Sequence, residues 1–375
     1  MPKRSTSGSR VTALDDVVSR AGAEGTARYA QRAASEVAVD FFRTIDDLTA
    51  SSIGVGTYLG DSTDDEDVRY AAVVRQALRR GINVIDTAIN YRCQRSERTV
   101  GSAIGQTLEA GELSRDELIV CSKGGYLPLD GAPPATRSDY DRYVRTEFLE
   151  AGVMAPDDLL SGGHSMAPGF LRYCIGRSRA NLRLRTIDIY YLHNPEHQLA
   201  FLTPISFRER VRAAFMVFED AVTRGDIAAY GCATWNGLRA APDAKGHLSL
   251  ADLVSIAREI AGNYHHFRVV QLPINLAMTE AIREPTQRLP SGTLVSVLDA
   301  AQALGIDVVA SASLMQAQLT RGLPEAVHEL FPTARTDAQR ALSFVRSLPI
   351  STALVGMRSL DHLRENLEIV APRVS

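Results

Sequence analysis

Residues 81–97 read GINVIDTAINYRCQRSE. Gly81 closes the helical pattern before it, and a short apolar run, NVIDTA (83–88), then leaves into a polar loop. Apolar character that is continuous rather than alternating suits a parallel strand buried on both faces. Asp86 stands near the end of that run, and Tyr91 follows five residues on. A carboxylate leaving a buried strand is costly unless a cation pairs with it. Taken alone, the stretch reads equally well as a strand-end cap with a rim aromatic. The question is where a partner for Asp86 lies.

The same pattern recurs on both sides. Further strand candidates are IGVGTY (53–58), LIVCS (118–122), IDIYYL (187–192), AAYGCA (228–233), VVQLP (269–273), DVVAS (307–311) and TALV (352–355). Helical segments fill the gaps: one from about Asp65 to Gly81, one opening at Ser96, then Gly169–Leu182, Phe207–Thr223, Ser249–Ile260, Thr293–Leu304, Thr336–Ser347 and Ser359–Ile369. Eight strands, each followed by a helix, predict a parallel (β/α)8 barrel of the TIM type. A doubly wound open sheet is the alternative, but no GxGxxG follows the first strand. Residues 1–40 read as an N-terminal extension, helical around Gly25–Ala38, with either a frayed start or a stretch packed across the barrel floor. Phe41–Leu48 reads as a small hairpin. Residues 41–375 then form a single barrel domain. One connection is abnormally long: about 45 residues, rich in Gly, Pro and Asp, separate Lys123 from Gly169. Such loops tend to be lids or binding loops, and this one leaves the C-terminal end of a strand, so 124–169 is expected to be a lid-like insertion at the catalytic face.

The bulk numbers narrow the function classes. The 375 residues are 45% hydrophobic and 23% charged, with net charge -3. That is ordinary soluble composition, and nothing in it points to nucleic acid or an anionic membrane as partner. No apolar run reaches the length of a membrane span. The opening MPKRSTSGSR lacks a signal-peptide core. Cys93, Cys121, Cys174 and Cys232 stand far apart without a CxxC pair, so neither a disulfide framework nor a metal site is expected. The cytoplasm is the expected compartment. Oligomeric state is not legible.

At the strand ends the polar residues gather. The second strand leads to Asp86 and Tyr91, the third to Lys123 and the fourth to His193. The fifth leads to Thr234, Trp235 and Asn236, the sixth carries Gln271, the seventh leads to Ser313, and the eighth to Gly356, Met357 and Arg358. A barrel brings all of these to one mouth. Four ionisable groups from three successive strand ends fit proton donation to a carbonyl. A phenol with its ordinary pKa of about 10 is a poor acid near neutrality, and the Lys123 ammonium would lower it. Lys123 stays charged when paired with Asp86, and His193 would hold and orient the carbonyl oxygen.

These residues resemble the aldo-keto reductase family. GINVIDTAINY with SE shortly after, IVCSK, and IDIYYLH are similar to its signature regions in order and spacing, and GMRSLDHLRENL to its last cofactor-binding segment. The resemblance covers roughly residues 41–370. It implies NADPH-dependent carbonyl reduction, or the reverse alcohol oxidation, with NADH as a second candidate and a small carbonyl or alcohol compound as partner. It carries the catalytic tetrad onto Asp86, Tyr91, Lys123 and His193, with tyrosine as proton donor and no metal. It assigns cofactor contacts to Gly56, Thr57, Tyr58, Asp86, Thr234, Asn236, Gln271, Ser313, Leu314, Gln316, Gly356, Met357, Arg358, His362, Glu365 and Asn366, with Arg358, helped by His362, facing the 2′-phosphate. Tyr58, Arg92, Tyr126, His164 and Trp235 are the substrate-side candidates. Some positions depart from the family pattern. Arg92 stands where glycine usually follows the tyrosine. Ala233-Thr234 replaces a Ser-Asn pair, and Ser311 replaces a stacking aromatic. Gln316 takes a place where small residues are common. After the last helix only APRVS follows, so the 124–169 insertion is the expected substitute for a C-terminal cap. Two other functions stay open: a barrel lyase or isomerase using Tyr91 and Lys123, and a non-catalytic cofactor-sensing subunit.

Overall fold

The computed structural model describes residues 19–160 and 162–372. The frayed start expected for the N-terminal extension, and the last residues of the tail, lie outside the described residues. Eight strands close a barrel: β1 (Ile53–Gly56), β2 (Val84–Asp86), β3 (Ile119–Gly124), β4 (Ile187–His193), β5 (Ile227–Ala233), β6 (Phe267–Pro273), β7 (Asp307–Ser311) and β8 (Thr352–Gly356). Every pairing is parallel and joins chain neighbours, with β8 returning to β1. This is the (β/α)8 barrel expected from the sequence.

The barrel helices are Asp64–Arg79, Arg95–Glu109, Pro168–Leu182, Pro204–Thr223, Leu250–Ala261, Val297–Leu304, Asp337–Arg346 and Leu360–Glu368. Six begin behind a Ser or Thr whose hydroxyl accepts a first-turn N–H: Thr63, Thr203, Ser249, Ser296, Thr336 and Ser359. Each such cap satisfies a donor that the helix itself leaves unpaired. The helix expected from Thr293 starts later, at Val297. Leu294–Val295 instead pairs antiparallel with Gln287–Arg288, which holds those residues extended.

Alternation along the strands separates two apolar layers. Ile85, Val120, Tyr190 and Leu192 face the helices, within the main core. Val84, Ile119, Cys121, Ile189, Tyr191, Val269 and Val309 fill the barrel interior. Ala21, Ile45 and Ala50 join that interior cluster from the N-terminal segment. The hairpin Phe42–Ile45/Leu48–Ser51 and the helix Ala23–Ala33 therefore belong to the floor of the barrel. Asp188, on β4, anchors this closure: its carboxylate accepts the Ala21 N–H at 2.7 Å, the Val120 N–H at 2.7 Å and Arg115 Nη2 at 2.8 Å.

The 124–169 segment carries a helix, Arg137–Val144, running into a π turn, Arg145–Leu149. Its Leu127, Val144, Phe148 and Met154 form a separate apolar cluster with Ile89, Phe170 and Cys174. Among the described residues, no helix is long and apolar enough to cross a membrane, and no His, Cys, Asp and Glu are grouped to hold a metal. All four cysteines are buried and free.

Candidate active site

The inward row of each strand continues upward from the apolar interior. Two residues beyond Val84 on β2 comes Asp86, beyond Cys121 on β3 Lys123, beyond Tyr191 on β4 His193, and beyond Val269 on β6 Gln271. The alternation that buries the lower members therefore lifts these four to the mouth.

Lys123 is 1% exposed, and its Nζ donates to Asp86 Oδ1 at 2.5 Å and to the Thr87 carbonyl at 2.8 Å. Gln271 Nε2 donates to the other Asp86 oxygen at 2.8 Å. The partner of Asp86 is thus Lys123. Burial pushes the Lys123 amine down, but the charge and hydrogen bond of Asp86, together with Tyr91 and Cys121, outweigh this and hold it an ammonium. Burial lifts the Asp86 carboxyl, against the pull of Lys123 and Gln271.

Lys123 Nζ lies 5.0 Å from the Tyr91 ring centroid. Tyr91 lies edge-on to Tyr58 at 5.1 Å and to His193 at 5.9 Å. Burial raises the Tyr91 hydroxyl above its ordinary value, and Lys123 only partly draws it back. The lowering expected from Lys123 is present but is outweighed by desolvation, so Tyr91 stays a protonated donor at neutral pH. His193 is held neutral, first by burial and then by the charge on Lys123. Its Nδ1 is buried without a partner among the described residues.

Above these groups opens a cleft of about 890 Å³. Gly56, Thr57 and Tyr58 line it after β1, Asp86 and Tyr91 after β2, His193 after β4, Thr234 and Trp235 after β5, and Gln271 on β6. Ser313, Leu314 and Gln316 line it after β7, and Gly356, His362, Glu365 and Asn366 after β8. Tyr126 is its contribution from the 124–169 segment. The loop after β7 is wound unusually, with Ala312, Met315, Gln316 and Ala317 at φ between +47 and +70°. Each non-glycine residue held there costs about 1–3 kcal/mol, strain that tends to collect at ligand sites.

Other predicted residues are placed elsewhere. Arg92 is not brought to the cleft: its guanidinium bonds Asp67 at 2.5 Å and the Asp61 carbonyl at 2.9 Å, over the Tyr70 ring. Its φ is +49°, with Cys93 and Gln94 also positive. The glycine usual here in the family would adopt that backbone freely, and in this chain the ion pair anchors an arginine in it. His164 is buried behind the site, where its Nε2–H donates to the His193 carbonyl at 2.7 Å and its Nδ1 accepts from Gln198 Nε2 at 3.1 Å. Burial pushes it down to about 4. Arg358 turns to Glu66, Met357 is buried in the core, and the Asn236 side chain accepts from Arg239.

Several residues were not singled out from the sequence. Asn90 and Asn194 flank Tyr91 and His193 and line the cleft, as does Arg321, which has no ion-pair partner among the described residues. Their adjacency to strand-end chemistry was the available signal for the two asparagines; nothing local marks Arg321. Glu196 accepts the N–H groups of Trp235, Asn236 and Gly237 at 2.7, 3.2 and 3.3 Å, so a buried carboxylate fixes the loop that carries Trp235.

The model of the Aldo/keto reductase family matches residues 52–324. The chain belongs to the aldo/keto reductase family. Among curated relatives, a D-threo-aldose 1-dehydrogenase from a Pseudomonas species is 31% identical over 191 residues, which are 47% of this chain and 52% of that protein. The match thus spans about half of that relative's length. Among solved structures, an aldo/keto reductase from Klebsiella pneumoniae in complex with NADP and acetate superposes with TM-score 0.57 at 20% identity, covering 89% of both chains. The holo form of an aldo-keto reductase from Bacillus halodurans gives 0.55 at 19% identity, covering 89% of this chain and 92% of the other. At that identity the likeness speaks for the shared barrel.

Proposed function

We propose that this chain is an NAD(P)H-dependent oxidoreductase that reduces an aldehyde or ketone, or oxidises the corresponding alcohol, with Tyr91 as the proton donor. The observation that carries the reading is the buried Lys123–Asp86 pair beneath Tyr91, with neutral His193 alongside, at the mouth of one cleft. The cleft also suits a polar, extended ligand. The hydroxyls of Thr234 and Ser313 line it, buried and without a partner among the described residues, as is Asn90 Oδ1. Buried polar atoms normally find partners. When bound, a reduced nicotinamide supplies the hydride.

The chain's own residues handle the proton. Tyr91 gives its hydroxyl proton to the carbonyl oxygen as that oxygen gains charge. An alkoxide is a much stronger base than a phenolate, so a donor held protonated is suited to this step. Lys123, fixed as an ammonium by Asp86, stabilises the phenolate left behind. His193 is positioned to donate a hydrogen bond to the same oxygen. Trp235, exposed on the cleft wall, is the flat surface available where Ser311 offers no ring. The Pseudomonas relative's name and the NADP in the Klebsiella structure support an aldose-like carbonyl and a nicotinamide dinucleotide. A lyase using a Lys123 Schiff base has less support, because Nζ is committed to Asp86 and Thr87 and does not line the cleft.

The test is NADPH consumption with a panel of aldehydes and aldoses. Tyr91→Phe is expected to lose about 10²–10⁴-fold in kcat, the usual worth of a positioned acid, while binding NADPH as before. Full turnover in that variant would overturn the assignment.

A further inference from the structure

We propose that Glu66 sets the cofactor preference of this chain by holding Arg358 away from the cleft, so that the site takes NADH alongside NADPH. The inference rests on the nicotinamide-dinucleotide reading above.

Arg358, in the loop after β8, donates from Nε at 2.6 Å and from Nη2 at 2.8 Å to the two Glu66 oxygens. Glu66 sits in the first turn of the helix Asp64–Arg79 and is 2% exposed. Its seat is built for a carboxylate. Gly60, at φ +102°, packs against it, and a Cβ there would fall 2.6 Å from Oε1. Arg69 Nη1 adds a third donor at 3.3 Å. Gly356, His362, Glu365 and Asn366 line the cleft on either side of Arg358 in sequence, but Arg358 itself does not.

Swinging Arg358 out to a 2′-phosphate would leave Glu66 buried with Arg69, whose side chain is mostly exposed, as its remaining ion-pair partner among the described residues and the Arg92 charge farther off. Stranding a buried carboxylate costs as much as a new phosphate contact returns, so the gain for NADPH is largely cancelled. The cleft offers an acid at the same end: Glu365, whose Oε1 accepts from Thr336 Oγ1 at 2.6 Å. A carboxylate at that end would accept ribose hydroxyls and oppose a dianionic phosphate. Arg321 lines the same cleft, and its charge would favour either cofactor through the phosphates that both carry.

The experiment titrates the full-length protein with NADPH and with NADH by fluorescence at fixed ionic strength, for wild type, Glu66→Gln, Arg358→Ala and the double variant. Wild type is expected to bind the two within about fivefold, less than one charge-assisted hydrogen bond would give. Glu66→Gln, which frees the guanidinium, is expected to shift the ratio toward NADPH by about tenfold, the worth of one such bond. Arg358→Ala should leave the wild-type ratio in place and, in the Glu66→Gln background, remove the gain. A ratio unmoved by Glu66→Gln, or moved toward NADH, would overturn the inference while leaving the cofactor reading intact; the second outcome would mean that Glu66 aims Arg358 at the phosphate. Arg358→Ala alone collapsing NADPH affinity would also overturn it. If neither cofactor binds wild type, the underlying reading fails with it. Melting temperatures show that each variant is folded, and the ratio is a readout that destabilisation alone does not move.

Discussion

Removing one member of the Lys123–Asp86 pair should cost more than removing both. Asp86→Asn leaves an ammonium 1% exposed with only an amide and the Thr87 carbonyl for company. Lys123→Met leaves a buried carboxylate with only Gln271. Breaking a buried pair from one side costs about 3–5 kcal/mol, whereas replacing both partners with uncharged groups is often close to neutral. Over 375 residues, an unfolding entropy of about 2.1 cal/mol/K per residue makes about 0.8 kcal/mol/K. Each single variant is therefore expected to melt about 4–6 °C below wild type, and the Asp86→Asn/Lys123→Met double variant within about 2 °C of it. Differential scanning calorimetry at one scan rate and pH 7 reads all four proteins. Additive losses, with the double variant about 10 °C down, would refute the idea that the two charges stabilise each other rather than separate parts of the barrel. All three variants should lose turnover.

Three further outcomes follow from the geometry. His164 is pushed down to about 4 in the folded protein, so between pH 6.5 and 4 the unfolded chain binds the extra proton and stability falls with acid. His164→Gln should flatten that limb of the unfolding free energy against pH, measured by denaturant titration, by up to about 3 kcal/mol. Glu66 has the same sense for another reason: the Arg358 guanidinium holds its carboxyl below the usual range. Its contribution is full above about pH 4.5 and is lost as pH falls through the depressed value, so Glu66→Gln should show a shallower melt-temperature decline below pH 4.5. Gly231→Ala places a Cβ 1.9 Å from the Val269 carbonyl, where β5 and β6 shift register. It should cost at least about 3 kcal/mol and show as loss of soluble protein on expression.

The barrel was legible because each strand is an unbroken apolar run ending in polar residues, and because Ser or Thr marks most helix starts. Asp86 and Lys123 could be paired from sequence since neighbouring parallel strands put their ends side by side. Arg92 and Arg358 could not be placed. Their partners, Asp67 and Glu66, lie 25 and 292 residues away in the chain, and an arginine's local context does not say which carboxylate it will meet. The sign of the Tyr91 shift was also beyond reach, since it is a contest between burial and charge that only depth decides. Val297 begins its helix late because Leu294–Val295 pairs with Gln287–Arg288, a tertiary choice that overrides local pattern.

Most apolar side chains in the outer part of the 124–169 segment pack apart from the main core: Val144, Phe148 and Met154 share a cluster with Ile89 and Phe170, while Tyr126 is the one among the segment's described residues that lines the cleft. Variation in the outer part of this segment can therefore accumulate without disturbing Lys123 or Asp86. Such a chain is modular in the evolutionary sense. Its outer segment is free to drift while the strand ends that carry Lys123 and Asp86 stay as they are, and Tyr126, which reaches the cleft, is the position of that segment to vary in a search for altered ligand preference.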